Sequence, residues 1–175
     1  FSHDDPRYDT PEKLWAAMRP YGAIAIPHHP LGGPVCPVKW DHFNPECEPV
    51  VETCSTHGSS EHERCRHEIY NPYRNGRHSV HTPLQAGRRF GFIGSSDTHM
   101  GLAGNCTVPD FNISFSQWYF RGRNRPPGPG VAAVYARDLS REAIFEALRE
   151  RRCYAVTGAR IILDVRAGGR FMGQA

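Results

Sequence analysis

The stretch Phe90-Gly-Phe-Ile-Gly-Ser-Ser-Asp97-Thr-His99 constrains the chain most. An apolar run from Phe90 to Ile93, bounded by Gly and Ser, suits a strand covered on both faces. Small residues then lead to a carboxylate and an imidazole two positions apart. In covered sheets, chemistry collects at the carboxyl ends of the strands. Alternation along extended chain points Asp97 and His99 the same way, so one cation could meet both. An Asx-turn aspartate beside a surface histidine is the competing reading of so short a pattern.

Two more stretches repeat the arrangement. Gly22 introduces Ala-Ile-Ala-Ile, a short strand ending at Pro27-His28-His29-Pro30. Pro49-Val-Val-Glu-Thr reads as a strand leading into Cys54-Ser-Thr-His57-Gly-Ser-Ser-Glu61. Three strands ending in histidine-bearing loops are hard to obtain from a protein without a polar site. Adjacent residues on extended chain face opposite ways, so only one of His28 and His29 is expected to face a given site. The bland alternative is one core histidine and one in solvent. The chain holds 10 histidines, concentrated between His28 and His99, and neutral imidazole is the commonest metal ligand. His62, His67 and His78 read as solvated loop.

The remaining elements alternate. Thr10 caps a helix with Pro11 at its first position and Glu12 at the positive end of its dipole; Leu14, Trp15 and Met18 make its buried stripe. Ser79 to Arg89 has Val80, Leu84 and Arg88 at helical spacing. Val131 to Tyr135 reads as a strand. Ser140 caps a helix through Arg152, with Leu139 and Ile144 placed as a hydrophobic staple and Ile144, Phe145 and Leu148 as its core face. Cys153 to Gly158 and Arg160 to Val165 are strand-like. This order argues for parallel strands with covering helices, an α/β class, with strands near 22–26, 49–53, 90–94 and 131–135 side by side. Residues 1–159 then form the body of the domain and 160–175 a trailing segment.

Composition bounds the function. At 175 residues, 39% hydrophobic and 22% charged, the chain is one ordinary globular domain or a large piece of one. A net charge of +3 permits an anionic substrate without arguing for nucleic acid. The loop Trp118-Tyr-Phe-Arg121-Gly-Arg-Asn-Arg125 could stack on bases, but a packed aromatic loop is the simpler reading. No apolar run is long enough to span a membrane. Six cysteines include no Cys-x-x-Cys, which argues against a zinc finger; Cys47, Cys54 and Cys65 lie in loop-like sequence. Compartment and oligomeric state stay open.

One acidic residue with several histidines, and no thiolate, suits zinc, manganese or iron. Such ions generate nucleophilic hydroxide near neutral pH and clamp phosphoryl oxygens. No catalytic group is identifiable beyond metal-bound water. Arg88, Arg89 and Arg160 are candidates to hold an anionic substrate.

At this point the sequence resembles a family. Ile26-Pro-His28-His29-Pro30, Val51 through Glu61, and Ile93-Gly-Ser-Ser-Asp97-Thr-His99 are similar to the later motifs of the polymerase and histidinol phosphatase (PHP) superfamily of metal-dependent phosphoesterases. The segment Arg141 to Arg160 is similar to its DUF3604 branch. The resemblance implies part of a distorted (β/α)7 barrel of mostly parallel strands with outer helices. It implies divalent ions, zinc, manganese or iron and up to three in the whole protein, and a small phosphorylated substrate. It makes His29, Asp97 and His99 metal ligands, with His57 and Glu61 matching the branch's own pattern and His28 a ligand or its support. The family's opening His-x-His motif is not in this chain; Ser2-His3-Asp4-Asp5 does not match it. The chain is therefore expected to be the C-terminal part of the domain, lacking upstream ligands. A non-catalytic domain that binds a ligand or partner is the alternative.

Overall fold

The computed structural model describes residues 4–32, 37–69, 76–97 and 130–174. Helix α1 (Pro11–Met18) begins as its sequence dictates: Thr10 is extended and its side chain accepts from the Lys13 amide at 3.4 Å. Trp15 and Met18 are buried. The next segment, 22–26, is not a strand. It runs beside the first strand on isolated hydrogen bonds, Ala25 N to Cys47 O at 2.7 Å and Glu52 N to Pro27 O at 3.2 Å. Pro27 has no amide to continue a ladder.

Strand β1 (Val50–Ser55) turns through Thr56 and His57 into the two-residue β2 (Gly58–Ser59), antiparallel to it. Helix α2 (His81–Gln85) is one short turn around the buried Pro83, and Gly87 at φ 76° reverses the chain after it. Strand β3 (Gly91–Gly94) lies parallel to β1, Val50 opposite Gly91 and Glu52 opposite Ile93. Both faces of β1 are covered. Val51 packs with Trp40, Val80 and Phe90 on one side; Val50 packs with Ile93 and Cys153 on the other. The Trp40 and Phe90 rings stack with centroids 6.3 Å apart. His78 belongs to this structure and is not a solvated residue: its Nδ1 meets the Val38 carbonyl at 2.7 Å. Cys54 lies within β1, and Cys47, Cys54, Cys65 and Cys153 are free thiols.

Strand β4 (Gly130–Val134), helix α3 (Arg141–Arg149) and strand β5 (Cys153–Thr157) follow, and β4 pairs with β5 antiparallel. A small antiparallel hairpin, β6 (Arg166–Ala167) and β7 (Arg170–Phe171), ends the chain. These pairings overturn the expected barrel. Among the described residues only β1 and β3 run parallel, helices are few, and the small sheets do not close. The reason lies at the end of α3. A helix between two strands reads alike in sequence whether it crosses the sheet or caps a hairpin. Here Arg151 takes a left-handed φ of 60°, and the Arg152 amide reaches back to Ala147 O at 2.8 Å. The chain thus reverses at once, and Tyr135 N bonds Arg152 O at 2.8 Å as the next rung of the β4–β5 ladder. α3 is an insertion in a hairpin turn. Its Ser140 cap forms, accepting from Ala143 N at 3.2 Å. The staple does not: Leu139 is 95% exposed. The face turned inward is Ala143 and Ala147, with Leu148 at the edge of the β1 cluster, because a helix lying this close to strands accommodates small residues. No helix among the described residues is long and apolar enough to cross a membrane.

Glu48 ties α1 to the turn before β1. Its carboxylate accepts from Asn44 N at 3.1 Å and from the Trp15 side chain. Burial pushes its pKa up from 4.5 to about 7, and those hydrogen bonds offset only part of the rise. Because the folded value lies above the unfolded one, Glu48's contribution to stability is fully present below about pH 4.5 and is lost as pH rises through about 7. Glu48→Gln is therefore expected to change stability little at pH 4 and to raise it by about 1–2 kcal/mol at pH 8, a figure already reduced for partial solvent access. Urea denaturation of both proteins at both pH values checks this; an equal difference at the two would refute it.

Candidate metal centre

Three chain segments meet above the carboxyl ends of β1 and β3. The first is the turn at 27–32. The Glu52 amide holds the Pro27 carbonyl, Gly32 N closes the turn on His29 O at 2.8 Å, and Leu31 N bonds Ser60 Oγ at 3.3 Å. His29 sits in this turn at φ 49°, a left-handed conformation uncommon outside glycine. This corrects the expectation that His28 and His29 face opposite ways. Alternation holds only for extended chain; the kink at His29 brings the two rings together on one side, centroids 3.6 Å apart and planes tilted by 38°.

The second segment is the β1–β2 turn, where His57 N bonds Ser55 Oγ at 3.1 Å and the ring is 5% exposed. The third is the end of β3. Ser95 N continues the ladder to Cys54 O at 3.0 Å, and Asp97 then turns left-handed at φ 44°, which aspartate tolerates better than most side chains. Two non-glycine residues in sparsely populated backbone regions on one site are costs that surrounding structure must hold.

The side chains converge on Asp97. His29 Nε2 lies 2.6 Å and His57 Nε2 3.0 Å from Asp97 Oδ2, and His28 Nε2 lies 3.7 Å away. Burial pushes the Asp97 pKa up, but hydrogen bonds from His29 and His57, with their charge, more than reverse this and hold the carboxyl below the usual range. Glu52 stands on the other side of the paired rings. Its carboxylate meets His28 Nδ1 at 2.8 Å, which raises the His28 pKa against the effect of burial. It also accepts from the Ser95 hydroxyl.

The donor set fits a divalent ion. His29, His57 and Asp97 each offer a ligand atom within 4.8 Å of the others, and His28, His29 and Glu52 form a second such group. Two imidazoles and a carboxylate are the nitrogen–oxygen set of catalytic zinc and of related first-row sites. Of the residues singled out from sequence, His28, His29, His57 and Asp97 come together, and His99 lies outside the described residues, as does the 118–125 loop. Glu61 is exposed, its amide bonded to Ser59 Oγ at 3.2 Å. Arg88 is half-buried at the edge of the core: its guanidinium donates to the Trp40 carbonyl and lies 5.2 Å from the Phe43 ring. Arg89 and Arg160 are exposed, Arg160 in the segment that follows β5. Sequence reasoning missed Glu52 and Ser95. The signal was there for Glu52: a carboxylate inside an apolar strand must be buried with a partner.

Comparison with known proteins matches residues 77–175 to the family described as "Protein of unknown function (DUF3604)". The chain belongs to the DUF3604 family. This DUF3604 chain is also similar to an uncharacterized protein of Chlamydia trachomatis serovar D, 32% identical over 142 residues, covering 77% of this chain and 20% of that protein. An uncharacterized protein of Chlamydia pneumoniae is 30% identical over 141 residues, with the same coverage of 77% and 20%. The chain thus spans about a fifth of the length of the curated relatives it matches. No solved structure matches.

Proposed function

We propose that this DUF3604 chain contributes the centre of a metal-dependent hydrolase acting on phosphate esters, the activity implied by its PHP-like motifs. The observation that carries the reading is the convergence of His29 and His57 on Asp97, 2.6 and 3.0 Å from one carboxylate oxygen. A buried carboxylate costs several kcal/mol unless a cation stands beside it, and this one is surrounded by imidazoles that can also serve as ligands. His29, His57 and Asp97 would hold the ion, with His28 at the rim. A bound divalent ion supplies Lewis acidity toward phosphoryl oxygen and lowers the pKa of coordinated water. The chain's own work is to fix the donors. The β1–β2 turn buries His57 against water, the left-handed turns aim His29 and Asp97, and the depressed pKa keeps Asp97 anionic at neutral pH.

The test uses the full-length protein and this chain side by side. Metal content after purification without added chelator is measured by mass spectrometry, and hydrolysis of a generic phosphomonoester and phosphodiester is followed before and after chelation. The expected result is bound zinc, manganese or iron and hydrolysis lost on chelation and restored by the ion. Hydrolysis that survives exhaustive chelation would refute the mechanism. Metal bound without any hydrolysis would favour a ligand-binding domain.

A further inference from the structure

Resting on the metal reading above, we propose that Glu52 is a positioning residue of this centre and not one of its ligands. It holds the Nδ1 side of His28 and the backbone of His29, so that His28 presents Nε2 to the space beside Asp97. Glu52 is 4% exposed, deep for a carboxylate, and sits in the middle of β1, where its backbone is fixed on both sides.

Most of its acceptor capacity is already engaged. Oε2 takes His28 Nδ1 at 2.8 Å and the Ser95 hydroxyl; Oε1 faces the His29 amide at 3.4 Å and His29 Nδ1 at 3.5 Å. An ionised carboxylate offers about four lone-pair sites, so an ion bound to Glu52 would have to displace groups that this site supplies from two other segments. His28 has the opposite character. With Nδ1 donating to Glu52, its Nε2 carries a lone pair, and that atom lies 3.7 Å from Asp97 Oδ2. This is too long for a hydrogen bond. It suits two ligands of one ion, because bonds of about 2.0–2.2 Å place donors roughly 3–4 Å apart. Histidine ligands generally donate their second ring nitrogen to a carboxylate, which fixes tautomer and orientation. The Glu52–His28 pair has that form, and Ser95 in turn holds Glu52. One buried acid on β1 thereby sets the ring at the mouth of the site.

The experiment compares the wild-type chain with Glu52→Gln and Glu52→Ala. Ring tautomers are read in the metal-free proteins at pH 8.5 by proton–nitrogen correlation NMR. Zn2+ affinity is measured by competition with a chromophoric chelator, and the Co2+ absorption spectrum reports the ligand set. In the wild type His28 should carry its proton on Nδ1. Glu52→Ala should weaken Zn2+ binding by about 10–100-fold, while Glu52→Gln, which keeps a carbonyl acceptor, should recover most of the loss and leave the Co2+ spectrum unchanged. A Gln variant as weak as the Ala variant, with an altered Co2+ spectrum, would make Glu52 a ligand and overturn the proposal; so would a wild-type His28 protonated on Nε2. If the Ala variant does not fold, the Gln spectrum and the tautomer decide alone. If the wild type binds no Zn2+, the metal reading fails, and the tautomer still tells whether Glu52 directs His28.

Discussion

Asp97→Asn should abolish metal binding. Replacement of the groups that merely support a metal ligand costs about 10–100-fold in affinity; loss of the charged ligand on which His29 and His57 converge should exceed the upper end of that range. Asparagine keeps the shape and removes the charge, so the effect isolates electrostatics from packing. The metal-free protein should also lose about 1–3 kcal/mol at pH 7, the range for charge-assisted hydrogen bonds lost in a buried site. The sign follows from the depressed pKa. Asp97's contribution is present above its unfolded value of about 3.8 and disappears as pH falls through the lower folded value. The stability difference between wild type and variant should therefore shrink in strong acid. Metal titration and urea denaturation measure the two effects. Retention of wild-type metal affinity by the variant would remove Asp97 from the centre.

The second large effect is expected at a position with no chemistry. A Cβ on Gly130 would stand 2.3 Å from Cys54 O and 2.7 Å from both Ser95 N and Ser95 O. All three are backbone atoms at the end of the β1–β3 ladder and cannot turn aside as a flexible side chain would. Overpacking of this kind costs about 1–3 kcal/mol and occasionally more, and Gly130→Ala belongs at the upper end. Because Ser95 donates to Glu52 and stands two residues before Asp97, metal affinity should fall together with stability. Urea midpoints and chelator competition on the same variant test the coupling. A loss of less than about 0.5 kcal/mol would mean that β4 can move off the seam without strain.

These effects show which parts of the molecule were legible in sequence. The strand near 90–94, the Val50–Val51 strand and both capped helices could be read because each rests on local pattern: apolar runs, a Thr or Ser cap, a proline at the first turn. The expected cover on both faces of the 90–93 run fails at Phe92, which is 36% exposed. The gathering of His29, His57 and Asp97 was readable from a coarser regularity, polar groups placed just after apolar runs. Pairing direction was not readable. The decision between parallel and antiparallel at β4–β5 is made at Arg151, a bulky residue in a left-handed conformation that composition does not announce. The same limit hid the convergence of His28 with His29, since φ 49° at His29 contradicts the extended geometry assumed for the pair. Arg88 drew notice as a charge, yet its half-buried place against Trp40 and Phe43 depends on contacts distant in sequence.

The parallel seam between β1 and β3 also bears on where a recombinant boundary can be cut. The family match begins at residue 77 and so contains β3 without its neighbour. A polypeptide started there would carry Asp97 stripped of His28, His29, Glu52 and His57. It would also open a full strand edge, with Phe90 and Ile93 uncovered beside it, the kind of edge that templates aggregation. Soluble expression and metal binding alike therefore depend on a fragment that reaches back through β1 to the turn at 27–32.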